Sequence, residues 1–348
     1  MFVEKIDICS RESAVTSGSL MSMRGYIMSK YEMVNIGDVY HYTDMNGFIS
    51  IIQNRELWLS HIRFMNDRKE YLDGRELCKE VINELTTNKH SMHEEFLNIV
   101  LKNLENEIST GFFARSSKDV FSLSLSRSRD SLDMWRGYGQ SSGIAIGFEG
   151  KASMQLPGFA MMRKEQYEEE LKKHENNPEK MVPRYERLLL ATNILYEEEK
   201  KKMVLYDILD VVVEHLEYLQ SRNVKWAEDS ALDCATSMLF DIFPYFKNKG
   251  FRNEDECRIV ENFTYSQNDV PLKIYYRERN GLILPYIKYV MLDRNCRPLK
   301  EWPIKEIVVG PGLKQKDSVE SVKYFLEKQG MNDLVEKVVT SDIPYISN

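Results

Sequence analysis

The chain has 348 residues, and 47 Lys+Arg against 54 Asp+Glu leave a formal charge of −7. With 43% hydrophobic and 29% charged residues it can build an ordinary core, so collagen-like, disulfide-scaffold and wholly disordered chains are excluded. The acidic balance speaks against indiscriminate binding to nucleic acid or anionic membrane and leaves room only for a local basic groove.

At ~150 residues per domain the length admits two units, or one domain with a large insertion. Cys9, Cys78, Cys234, Cys257 and Cys296 are scattered and odd in number. No Cys-x-x-Cys pair is present to hold a metal, and reduced thiols are expected. No stretch approaches the ~20 apolar residues that span a bilayer, and the N-terminus lacks the basic start and apolar run of a secretory signal. A cytoplasmic protein without a membrane partner is the expectation.

Residues 1–36 are rich in Ser and Met without periodicity and read as a loosely held extension. Val39 to Thr43 is aromatic and β-branched, the first strand, and Asp44 is placed to cap a short helix carrying Phe48, Ile51 and Ile52. Leu57 to Ser60 is a second short strand leading into a loop through Asp67. Residues 69–108 read as two helices, with Leu72, Leu77, Val81 and Leu85 on one stripe. From Val120 to Ser126, strict alternation sets Ser122, Ser124 and Ser126 on one face and Phe121, Leu123 and Leu125 on the other. Another strand covers Gly143 to Phe148.

The region 160–249 changes character. Charge runs and the stripes Leu205, Ile208, Leu209, Val212 and Leu232, Ala235, Leu239, Phe243 predict helices, read as an insertion. Strands return at Cys257–Val260, Leu272–Tyr276, Tyr286–Leu292 and Ile304–Val309. Asp317 and Glu320 form a capping-box pattern for a helix that Gly330 ends, and Val335 to Thr340 is the last strand. Strands, then inserted helices, then strands again predict an α+β fold for 37–348, with the sheet assembled from distant segments. Regular βα alternation, which a doubly wound fold requires, is lacking.

Three groups carry chemical content. His41, inside an aromatic strand, can offer one ring nitrogen to a ribose hydroxyl while backbone fixes the other, or it is a buried structural histidine. Ser122, Ser124 and Ser126 present small hydroxyls to a ligand, or a solvated sheet face. Glu254 and Glu256 point the same way, and one of a close carboxylate pair can have its pKa raised to orient a sugar hydroxyl or stabilise a cation. The alternative is a charged strand edge paired with Arg258. Trp135 and Tyr138 offer stacking surfaces or serve the core. Gly137 to Gly143 is one residue too long for G-x-G-x-x-G and precedes a strand, so no dinucleotide fingerprint is present. His90 and His93 on one helix face are a weak metal pattern. Asp67, Glu70 and Glu256 would be the acids of a metal-dependent nuclease, though no paired ligand spacing supports it.

Tyr40-His41-Tyr42-Thr43, Leu57-Trp58-Leu59-Ser60 with Arg63 to Asp67 and Glu70, and Ser122-Leu123-Ser124 with Asp130, Trp135, Tyr138 and Gly139 resemble successive blocks of a bacterial family of unknown function, DUF2971. Phe246-Lys247, Gly250-Phe251, Glu254-x-Glu256-x-Arg258, Ile304 to Pro311 and Ser341 to Tyr345 extend the resemblance over about residues 38–346. The opening block is similar to the start of the ADP-ribosyltransferase superfamily, including DarT-like enzymes and RNA 2′-phosphotransferases.

That second resemblance implies a split mixed or antiparallel sheet with NAD lying across it, used as a substrate for transfer of ADP-ribose to a protein or nucleic-acid acceptor. A phage-defence or toxin effector is the biological role it suggests. It implies His41 with Tyr42 and Thr43 on a ribose, Ser122 or Ser124 beside the nicotinamide, and Glu256 on the oxocarbenium-like transition state. Glu254 would activate the acceptor, and Asn66 and Asp67 would shape the adenosine side. The alternative on the same fold is a non-catalytic module that senses a nucleotide or nucleic acid.

Overall fold

The first strand forms where the aromatic and β-branched residues predict it: β1 spans Val39–Thr43. Asp44 caps the following helix α1, Met45–Asn54, by accepting a bond from the Gly47 amide at 2.7 Å. The computed structural model describes residues 26–33, 37–64, 70–88, 93–106, 115–139, 143–150, 160–173, 191–264, 272–279, 281–292 and 302–344. In chain order the remaining elements are β2 (Glu56–His61), α2 (Glu70–Asn88), α3 (Glu94–Asn106), β3 (Arg115–Ser126), β4 (Ile144–Phe148), β5 (Ala160–Arg163) and α4 (Lys164–Lys173). They continue with β6 (Thr192–Asn193), α5 (Glu198–Ser221), α6 (Ala227–Ile242), β7 (Glu256–Thr264), β8 (Tyr275–Arg279), β9 (Leu282–Leu292), β10 (Ile304–Val309), α7 (Gln315–Lys328) and β11 (Val338–Thr340).

These strands form one open mixed sheet in the order β11-β10-β4-β1-β3-β2-β9-β5, with β7 on β3, β6 on β7 and β8 on β9. The β10–β11 pair is parallel and the other strand pairs are antiparallel. The mixed α and β composition with a sheet drawn from distant segments agrees with the sequence expectation.

Alternation divides β3 as its residues require. Phe121, Leu123 and Leu125 join Leu57, Leu59, Ile146, Cys257 and Ile287 in a core on one face, closed by Phe48 and Ile51 of α1 and Val322 and Leu326 of α7. On the other face, Val120 and Val260 belong to a second core built with α2, α3, α5 and α6. A third, small cluster on that same side packs Tyr40 and Tyr42 against Trp135.

The helical lobe has two origins. Helices α5 and α6 come from the stretch 160–249, but α2 and α3 from upstream pack against them. Helix α6 is buried along nearly its whole length, so it forms the axis of the lobe. Ile27, Met28 and Met33 also sink into this core, although they lie in the stretch expected to be loose; Tyr31, four residues on from Ile27 and three from Met28, packs on the same face.

Several boundaries differ from expectation, among them the last strand, which keeps only Val338–Thr340 because Val335 closes a short helix, Asn332–Val335. Asp317 and Glu320 do not open a capping box: α7 begins two residues earlier, at Gln315, and Asp317 sits in its first turn where a carboxylate meets the helix dipole. Gly330 does end the helix, in the left-handed region at φ 73°. The strand expected over Leu272–Tyr276 lies at Tyr275–Arg279, because register with β9 rather than apolar content sets it.

Candidate functional site

Strand β3 has β7 along one edge, from Val120↔Asn262 to Ser126↔Glu256. Both β1 and β2 must therefore use the opposite edge: Tyr40 pairs with Ser126, and Ser60 and His61 pair with Ser122 and Phe121. The sheet forks there, and the peptide of Ser124 sits at the crotch between the diverging strands.

His41 occupies the fork. Its Nδ1 donates to the carbonyl oxygen of Ser124 at 3.1 Å, since a carbonyl can only accept. Burial pulls its pKa down to about 4 against the opposing pull of that bond, and the charges of Arg277 and Arg279 depress it further. The imidazole is thus neutral at physiological pH, with Nδ1 tied to backbone and Nε2 left with a lone pair. The ring offers an acceptor rather than a second donor, a sharper role than the sequence supplied.

Ser122 is buried and Ser124 half-buried on the face shared with Arg258 and Glu256, as the cross-strand pairs require. Neither hydroxyl has a hydrogen-bond partner. Ser126 differs: its Oγ donates to the Glu254 carbonyl at 2.7 Å and accepts from the Ser128 amide.

Glu256 begins β7, following a short 3₁₀ turn that carries Glu254 and ends at Asp255 with φ 43°. Lys247 joins the two acids, at 2.7 Å from Glu254 and 2.9 Å from Glu256. Arg258 grips Glu256 in a bidentate pair at 2.7 and 2.9 Å, and its Nη1 donates to the Pro244 carbonyl. The Glu256 amide donates to the Tyr196 hydroxyl. Burial alone would raise the Glu256 pKa, but the Arg258 and Lys247 charges outweigh it and hold the carboxyl well below the usual range. The expected raised member of a carboxylate pair is therefore not found at Glu256, because Arg258 and Lys247 both hold its carboxylate.

Tyr138 links the two halves. The Arg279 guanidinium lies 6.0 Å from its ring centroid, and burial with the charges of Glu254 and Glu256 pushes its hydroxyl up to about 12. His41, Ser122, Ser124, Tyr138, Glu254 and Glu256 are therefore drawn to one region of the sheet.

The others are not. The Tyr42 hydroxyl donates to the Ser128 carbonyl and accepts from the Ser131 amide, and its ring meets Trp135 edge to face at 4.7 Å. Trp135 is buried with its indole N–H on Asp130 at 2.6 Å. Both belong to the small core beside β1. Thr43 is half-buried at the end of β1, next to the start of α1. Asn66 and Asp67 lie outside the described residues. Among the described residues no cluster of three or more His, Cys, Asp or Glu has the geometry to hold a metal, and no helix is long and apolar enough to cross a membrane.

Sequence reasoning missed Arg277 and Arg279, the alternate charged residues of a short edge strand. Arg277 donates to Ser60 Oγ at 2.9 Å and lies 5.4 and 5.5 Å from the ring centroids of Trp58 and Tyr286. The signal was the residue order Tyr-Tyr-Arg-Glu-Arg, in which alternation sends Tyr275, Arg277 and Arg279 to the less exposed side.

No curated protein and no solved structure matches the chain. A family model described as a protein of unknown function (DUF2971) matches residues 134–259. That span holds Tyr138, Lys247, Glu254, Glu256 and Arg258 and stops short of His41, Ser122, Ser124 and Arg277. Over those residues the resemblance carried by Trp135, Tyr138, Glu254, Glu256 and Arg258 holds, and this part of the chain is similar to the DUF2971 family.

Proposed function

We propose that the fork binds NAD and that the chain transfers ADP-ribose from it to a protein or nucleic-acid acceptor. The observation that carries this reading is the neutral His41 ring, fixed through Nδ1 to the backbone carbonyl of Ser124, on the strand whose Ser122 and Ser124 hydroxyls have no hydrogen-bond partner. Buried polar groups without partners in a folded protein call for an explanation, and a polar ligand is one. The forked sheet fits the split-sheet arrangement of the ADP-ribosyltransferase type.

In this reading His41 Nε2 accepts from a ribose hydroxyl. The glycosidic C–N bond of NAD breaks with its electron pair going to the nicotinamide nitrogen, which becomes neutral. The ribose gains cationic character, and Glu256 is ionised as that charge demands. The acceptor nucleophile forms the new bond at the same carbon and gives its proton to Glu254. A cytoplasmic effector of phage defence or a toxin is the setting this chemistry suits.

One observation favours a second reading, a module that binds the nucleotide without turning it over. Both Glu256 oxygens are engaged by Arg258 and Lys247, which leaves the carboxylate less free to meet substrate. Nicotinamide release from NAD by the purified chain separates the two. Release lost in Glu256→Gln and His41→Gln but kept in the helix-surface control Glu198→Gln supports transfer. Binding of ADP-ribose with no release by the wild type, over a panel of protein and nucleic-acid acceptors, supports the sensor.

A further inference from the structure

The guanidinium of Arg277 is half-buried, and its pKa is lowered by burial and then by the neighbouring charge of Arg279. No carboxylate is within ion-pair distance of it among the described residues. Its Nη2 donates to Ser60, while its Nε is buried with no hydrogen-bond partner. Trp58 and Tyr286 lie against it, their own rings 4.6 Å apart between centroids. A cation on aromatic rings is oriented by them and keeps its in-plane N–H groups available.

The neighbours of Arg277 carry the same message. Ser60 is directly opposite Ser122 in the β2–β3 pair, which puts their side chains on one face ~5 Å apart. Ser124 follows on that face ~7 Å further along β3. The hydroxyls of Ser122 and Ser124 are also buried without partners. Three orphaned polar atoms from three residues, Arg277 Nε, Ser122 Oγ and Ser124 Oγ, therefore gather beside a second cation, Arg279. All three can donate, and among the charges acting on Arg277 the repulsion of Arg279 outweighs the attraction of Asp44. Buried charges are normally paired, because an uncompensated one has lost its hydration with no partner in its place.

From this geometry we infer that Arg277, Ser122 and Ser124 form an oxyanion subsite that takes the phosphate or diphosphate group of a nucleotide. Arg277 supplies directed donors, and Arg279 supplies a second positive charge that favours a multiply charged anion over a carboxylate. The choice of a nucleotide rests on the reading of the fork given above; the oxyanion chemistry rests only on the orphaned donors. The strand β8 brings Arg277 to the site from a segment about 150 residues beyond Ser124 in the chain, outside the family match.

Calorimetric titration of the full chain with inorganic pyrophosphate and with ADP-ribose, at fixed ionic strength, tests the subsite. Both are expected to bind the wild type, and Arg277→Gln to weaken both by about tenfold or more, as loss of a charge-assisted bond does. Arg277→Lys is expected to recover only part, since the charge returns without the planar fork of donors. Without ligand, Arg277→Gln is expected to unfold at the same temperature as wild type or higher, because it removes a charge that lacks an ionic partner. Equal affinity of wild type and Arg277→Gln for pyrophosphate, or no binding of either probe to wild type, overturns the subsite. Arg277-dependent pyrophosphate binding with no nicotinamide release from NAD keeps the subsite and sinks the transferase reading. Undiminished NAD turnover in Arg277→Gln does the reverse.

Discussion

Arg258 holds Glu256 through two near-parallel bonds of 2.7 and 2.9 Å from only two residues along the same strand. Both side chains are among the most buried charged groups in the chain. Removing one partner of such a pair leaves the other charge uncompensated. Glu256→Gln is expected to lower unfolding stability by about 3–5 kcal/mol, because Arg258 and Lys247 both lose it. Urea denaturation checks this, and a midpoint equal to that of wild type would show the pair to be structurally idle.

The pH dependence of stability separates two groups. The His41 pKa is lowered to about 4 in the folded chain from an ordinary 6.5. Between those values the unfolded chain takes up the proton first, so stability falls as pH drops, with a slope of up to about 1.4 kcal/mol per pH unit. The Glu256 pKa is also depressed; its contribution is present above its ordinary value near 4.5 and is lost as pH falls below it. The window above 4.5 therefore reads histidine. His215 is lowered too, by burial, so the informative quantity is the difference between wild type and His41→Gln across that window. Parallel curves for the two proteins would remove the neutral assignment of His41.

Ser122→Ala is expected to leave stability unchanged or to raise it slightly, within about 1 kcal/mol, because the hydroxyl it removes is buried and unpaired. Ser126→Ala is expected to cost about 1–2 kcal/mol, since the lost hydroxyl holds the Glu254 carbonyl and the Ser128 amide. Thermal unfolding of the two variants side by side decides the matter. The reverse order would mean that Ser122 has found a partner in the folded chain.

Gly147 lies under the ring of Tyr40, its partner across the β1–β4 pair. A Cβ there would come within 2.6 Å of Tyr40 Cε1 and 3.3 Å of Glu306 Cγ. The Tyr40 hydroxyl is fixed to Glu306 at 2.8 Å, so the ring cannot swing aside without breaking that bond. Gly147→Ala is expected to destabilise by about 1–3 kcal/mol, and Gly147→Ala with Tyr40→Leu to recover part of it in a double-mutant cycle. An additive cycle would show that the ring is not what excludes the side chain.

Much of this was legible in the residue order. Val39–Thr43 and Ile304–Val309 appear at the bounds expected, because runs rich in aromatic and β-branched residues favour the pleated, half-buried surface of a sheet. Gly330 ended its helix because only a residue tolerant of positive φ suits that position. The pair Glu254 and Glu256 was visible as a motif, and Phe246-Lys247 as a block of the family resemblance, but that Lys247 bridges the two acids was not: it reaches them from a loop that no periodicity marks. Arg277 was missed for a related reason. On an edge strand a charged residue reads as solvated, and only register against β9 and the approach of Ser60 reveal that it faces inward. The fork itself comes from long-range pairing, which local sequence does not encode.

The double origin of the helical lobe bears on how the family segment should be handled in the laboratory. Residues 134–259 contain α5, α6 and the start of β7. The helices α2 and α3 that cover α5 and α6, and the strand β3 that pairs with β7, all lie upstream. Excised at those bounds, the segment would present its longest buried helices and an open strand edge to water, the surfaces through which chains aggregate. The match is thus a signature threaded through the fold and not a module that can be lifted from it, so biochemical work calls for both flanks.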